Sequence, residues 1–142
     1  MKDNINALDE TYKGAVMGIN AITYILNKVD DKKFKETLQK QLDNYKIITT
    51  KITDIYPKYT TKKIEQTNIM TKAMSYAGIE MKTMNDKSIS KLADILLQGM
   101  NMGIIEGKKI INNKKLDREI VLIINKFIAM QEKSVETLKQ YL

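Results

Sequence analysis

Apolar residues recur at alternating steps of three and four along almost the whole chain. That spacing draws one face of an α-helix and does not fit the two-residue alternation of a strand. The first seam reads Ile5, Leu8, Tyr12, Ala15, Ile19, Ile22, Leu26 and Val29, and predicts a helix over 4–28. A second, Phe34, Leu38, Gln41, Tyr45, Ile48, Ile52 and Ile55 with Leu42 beside it, predicts a helix over 31–56 that stops at Pro57. The third helix is expected over 88–112, with Asp86 or Ser88 as its cap, on the stripe Ile89, Leu92, Leu96, Gly99, Gly103, Glu106 and Ile110. The fourth is expected over 117–141, on Ile120, Ile123 or Ile124, Phe127, Met130 or Gln131, Ser134, Leu138 and Tyr141.

Between the second and third helices lies a connection over 57–87. Pro57 to Thr61 reads as extended chain, and 62–77 as a shorter helix ended by Gly78. Each long helix of about 25 residues spans roughly 37 Å. A connection of this size can travel that length, so the third helix is expected to run parallel to the second. The fold expected for residues 1–142 is a single all-α domain, an antiparallel four-helix bundle with one long crossover containing a short helix.

Five of the six glycines fall inside predicted helices: Gly14, Gly18, Gly99, Gly103 and Gly107. Helical glycine costs about 1 kcal/mol relative to alanine, so something must offset them. Close packing of helix 1 on helix 3 is the first expectation, through the groove that small residues four apart open. A ligand cavity and a subunit contact are the alternatives. Gly14 and Gly18 reappear 85 positions later as Gly99 and Gly103, and the same shift carries helix 2 onto helix 4 to within a residue. Two similar hairpins related by a pseudo-two-fold axis would produce that repeat.

Two hairpins joined by a long crossover resemble the ferritin-like superfamily and, within it, the spore-coat-like proteins of spore-forming bacteria. In metal-bearing members a Glu from each of two helices joins a Glu-x-x-His on each of the other two. This chain has no histidine, hence no such motif, and ferroxidase or oxygenase chemistry does not carry over.

Composition removes further chemistry. With neither cysteine nor histidine, no disulfide, thiolate metal site, cysteine nucleophile or imidazole base is possible. The glycines are intrahelical and form no phosphate-cradling loop. No catalytic residue, metal ligand or cofactor is therefore expected. No leader and no membrane-spanning run is visible, which gives an expectation of a cytoplasmic protein. The Lys-, Ile- and Asn-rich composition suggests an AT-rich, bacterial source.

Three polar sites remain. Glu106 sits on the helix-3 stripe and is the best single candidate for a buried carboxylate or a ligand contact; its alternative is a solvent-reaching or Lys-paired side chain. Folding the chain back at its last turn sets Gln98 level with Gln131, with Asn101 close by: a register-fixing amide pair, or a polar ligand pocket. The net charge is +7, and Arg118 is the only arginine among 24 basic residues. Lys32, Lys33, Lys62, Lys63, Lys108, Lys109, Lys114, Lys115 and Arg118 read as a solvated face or as a surface for nucleic acid or lipid headgroups. Three functions follow: a non-enzymatic structural or protein-interaction bundle, expected to self-associate; a Lys-rich binder of anionic surfaces; and a small-ligand bundle centred on Glu106.

Overall fold

The computed structural model describes residues 2–64 and 78–142, and among them every regular element is helical. The long helices are α1 (Lys2–Leu26), α2 (Lys32–Ile55), α3 (Ile89–Asn113) and α4 (Arg118–Lys139). Local chemistry sets their starts. The Asp31 carboxylate accepts from the Phe34 N–H at 2.8 Å and caps α2. Ser88 rather than Asp86 caps α3, accepting from the Lys91 N–H at 3.2 Å, while Asp86 holds the Ser88 N–H at 2.9 Å. The Ser88 side chain first, and then this bond to its N–H, hold the Asp86 carboxyl below its ordinary range.

The connection departs from expectation in two places. Tyr56–Lys58 is a 3₁₀ turn rather than extended chain, because proline's fixed φ suits the first helical positions. Gly78 lies inside a helical stretch over 78–82 and has no positive φ, so it is not the left-handed stop the sequence suggested. Most of the short helix expected over 62–77 falls outside the described residues; of its first residues, 62–64 are not helical.

Hydrogen bonds between elements fix the topology. At one end Asp3 Oδ2 accepts from the Lys115 N–H at 3.0 Å and Asn4 Oδ1 from the Asp117 N–H at 2.9 Å. At the same end Tyr59 donates to Glu119 at 2.6 Å and to Asp117 at 3.1 Å, and Lys58 pairs with Glu119 at 3.1 Å. So α1 begins, α2 ends, α3 ends and α4 begins there. At the other end the Thr37 and Tyr141 hydroxyls meet at 2.8 Å, and the Phe34 and Tyr141 rings stack at 4.9 Å. Consequently α2 and α3 run the same way, and α3 begins at the end opposite to the one where α2 stops. The main packed pairs are α1/α2, α3/α4, α1/α3 and α2/α4, all antiparallel, and the two hairpins are packed most closely.

The core lies along the common axis. Leu8, Ile22, Ile25, Phe34, Leu38, Ile52, Ile120, Ile124 and Leu138 are fully buried, and burial of each such side chain is worth about 1.5–3 kcal/mol. The α2 seam is buried as its spacing predicts, with Ile55 half-buried at the end. The α3 seam is turned: Leu92, Ala93, Leu96, Met100, Gly107 and Ile110 face inward, and Gly99 and Glu106 do not.

Candidate functional site: a glycine-walled cleft

Four helices meet at one cross-section. Gly18 on α1 receives the Tyr45 ring from α2, and a β-carbon at Gly18 would collide with it. Gly103 on α3 receives the Gln131 amide from α4 in the same way. One turn further along α3, the Ile128 side chain lies 2.8 Å from where a Gly107 β-carbon would stand. The glycines thus permit close approach within each hairpin, not between α1 and α3. The expected packing of helix 1 on helix 3 is corrected to that extent: Gly18, Gly103 and Gly107 each seat a large side chain from their own hairpin partner.

With their small faces spent inside the hairpins, α1 and α3 leave a cleft of about 570 Å³ between them. Gly14, Gly18, Gly99, Gly103 and Gly107 all line it. Around Gly99 a β-carbon would meet nothing within 4 Å, and at Gly14 only the Phe127 ring edge at 3.9 Å. Met17 and Met102 stand at the rim; Met102 is 67% exposed. From Ile95 to Ile110 the α3 wall extends roughly 22 Å at the helical rise.

The floor holds one polar pair. Tyr45, 2% exposed, donates its hydroxyl to Gln131 Oε1 at 3.2 Å, and its ring meets Phe127 edge-on at 5.6 Å. Burial pushes the Tyr45 hydroxyl far above its ordinary range, which keeps it a neutral donor. Gln131 is also 2% exposed, and its Nε2 has no hydrogen-bond partner among the described residues. An unsatisfied buried donor costs about 1–3 kcal/mol. A second amide, Gln41, is buried with neither polar atom partnered, but it does not line the cleft.

Of three expected site residues, Gln98 and Glu106 border the cleft at its exposed edge and Asn101 does not line it. Gln98 is exposed and donates to Asp94 at 2.9 Å along its own helix, and Asn101 is exposed. Gln131 does not meet them, because helical side chains slant toward the N-terminus and cover the preceding turn. Its amide therefore lands on Gly103, nearer the α3–α4 corner. Glu106 borders the cleft but its side chain is 63% exposed and pairs with Lys109 at 3.5 Å, so it is a rim group and no buried carboxylate. Gln131 keeps its expected place in the interior. Tyr45, placed from sequence on the core seam, is the cleft residue that pattern reasoning did not assign to a pocket. The signal was present: the repeat that maps Gly18 onto Gly103 maps Tyr45 to within one residue of Gln131.

The basic residues are not all brought to one place. Lys32 and Lys33 lie at the end marked by Tyr141, whose hydroxyl donates to the Lys33 carbonyl at 3.4 Å. Lys114, Lys115 and Arg118 occupy the opposite end, at the α3–α4 corner. Lys62, Lys63, Lys108 and Lys109 are exposed. Among the described residues no three carboxylates gather to hold a metal ion, and no helix is long and apolar enough to cross a membrane. Comparison with protein-family models, with curated proteins and with solved structures finds no match to this chain.

Proposed function

We propose that this protein is a non-enzymatic binding module, a single-crossover four-helix bundle of ferritin-like arrangement without a metal centre. Its function resides in the cleft between α1 and α3, which takes up an elongated apolar ligand. The carrying observation is that cleft: about 570 Å³, walled by glycines from two helices and lined by apolar side chains around one buried polar pair. Ligand pockets are commonly 300–1,000 Å³, apolar, with few polar groups to orient the guest. The ligand reading formed on the sequence moves from Glu106 to the Tyr45–Gln131 pair.

Gly99→Leu tests it. The substitution fills open space at a helical position and leaves the core untouched. Wild-type protein should bind an apolar fluorophore such as phenylnaphthylamine saturably at one site. Gly99→Leu should bind it at least tenfold more weakly while keeping its helical circular dichroism and its melting temperature. Equal binding by both proteins would remove the cleft as the site.

Self-association is a second reading, supported by Ile105 and Leu122, large apolar side chains more than half exposed. Sedimentation of wild type against Ile105→Lys tests it; a monomeric wild type ends it. The anionic-surface reading has its basic residues divided, with Lys32 and Lys33 at one end and Lys114, Lys115 and Arg118 at the other.

A further inference from the structure

The two ends of the cleft are made comparable by the sequence repeat. Every buried residue of α3 lies 85 positions after a buried residue of α1, from Leu92 on Ala7 to Ile110 on Ile25. The two helices are antiparallel, so the shift exchanges the ends of the cleft about the level of Gly18 and Gly103. Three wall pairs are identical across it: Gly14 and Gly99, Met17 and Met102, Gly18 and Gly103.

Where a pair differs in polarity, the more polar member always stands on the side of the α3–α4 corner. Glu10, Thr11 and Lys13 are there, and their images toward the far end are Ile95, Leu96 and Gln98. Glu106, also on the corner side, answers to Ala21. Glu10 and Ile95 are each eight positions from the central glycines, on opposite sides, which sets them roughly 24 Å apart along the axis. Lys82, also lining the cleft, comes from the connection and has no counterpart in the repeat.

Glu10 and Lys13 are exposed, and neither makes an ion pair among the described residues, whereas Glu106 pairs with Lys109. The corner end offers one carboxylate and one ammonium about a helical turn apart. A head group of either net sign would meet a like charge there as well as an unlike one, and like-charge juxtaposition is penalised.

We infer that the cleft takes a single-chain amphiphile in one direction, its head, without net charge, at the corner by Glu10, Lys13 and Glu106, and its hydrocarbon tail toward Ile22 and Ile95. This rests on the cleft being a ligand site, and the test separates the two. The probes are two monoacyl phosphocholines, used below the concentration at which they form micelles, one with a nitroxide on the head and one with a nitroxide near the end of the tail. Bound to wild type, the head label should erase the amide signals of residues 10–14 and 106–110 and spare those of 95–99. The tail label should do the reverse. Glu10→Ile with Glu106→Ala places the far-end residues at the corner, and the two labels should then erase both sets alike. A double variant that keeps the wild-type direction would overturn the role given to these carboxylates. Both labels erasing both sets in wild type, or the opposite direction, would overturn the inference and leave the cleft reading standing. Failure of both probes and of the apolar fluorophore to bind wild type would overturn the cleft reading, and the direction with it.

Discussion

The ring of Tyr45 occupies the space that a β-carbon on Gly18 would need. The ring cannot yield easily, because Phe127 meets it edge-on at 5.6 Å and its hydroxyl is bonded to Gln131. Gly18→Ala should therefore destabilise the fold: overpacking costs about 1–3 kcal/mol, against a gain of about 1 kcal/mol in helix propensity. Gly99→Ala, with open space around the new methyl, should keep only the propensity gain and stabilise by up to about 1 kcal/mol. Urea unfolding of the two variants should move the midpoint in opposite directions.

Tyr45 and Gln131 should behave as a unit. Tyr45→Phe removes the only partner that a buried amide has among the described residues and should cost about 1–3 kcal/mol. Gln131→Leu leaves the tyrosine proton unserved and removes an unpaired N–H. Changing both should cost less than the two single losses together, by roughly 0.5–3 kcal/mol for residues in contact. A double-mutant cycle in denaturant measures the difference, and additivity would mean the 3.2 Å contact carries no coupling.

The Tyr59–Glu119 bond gives stability a dependence on pH. Glu119 is held below its ordinary range, first by the Tyr59 hydroxyl and then by Lys58. A carboxyl depressed in the folded state contributes stability above its unfolded value of about 4.3, and that contribution is lost as pH falls through the folded value. Tyr59 is pushed above its ordinary range by burial first, then by its bonds to Glu119 and Asp117. Its contribution is intact below about pH 10 and falls away as pH rises above that value toward the folded one. Tyr59→Phe should flatten the acid limb of a stability-against-pH curve. It should also reduce the alkaline limb, leaving the part due to Tyr45.

Asn4 is buried at the start of α1 and accepts the Asp117 N–H at 2.9 Å. Asn4→Ala leaves that N–H, which begins α4, without its acceptor and should cost about 1–2 kcal/mol, the range for a lost helix cap. Amide exchange at Asp117 and Arg118 should speed up more than exchange in the middle of α4.

Where one face alone is apolar, the sequence determined the helix and its orientation. In α2 lysines fill the outer face, and every expected seam residue but the half-buried Ile55 is buried. In α3 the stretch from Ile95 to Ile105 is apolar nearly all round, so the spacing marks a helix but does not choose its inward face. Gly99 and Glu106 were assigned to the seam for that reason and lie outside it. The glycines were legible as offsetting something, yet which neighbour they seat depends on the slant of Tyr45 and Gln131, which periodicity does not carry. The cleft is a separation between two helices, a quantity without a signature in either one.

The anchoring of α1 has a mechanical meaning. Its bonds to the α3–α4 corner are made at its first turn, by Asp3 and Asn4, while the cleft borders it from Glu10 to Ile22. The helix is then a lever pivoted near residue 4, with an arm of roughly 27 Å to Ile22 at 1.5 Å per residue. A tilt of about 4° at the pivot carries Ile22 about 2 Å over that arm, and Glu10, nearer the pivot, about a third as far. Were the cleft to take up a guest, α2 would have to move with that lever, since Tyr45 is seated on Gly18, and the opening would widen more at Ile22 than at Glu10.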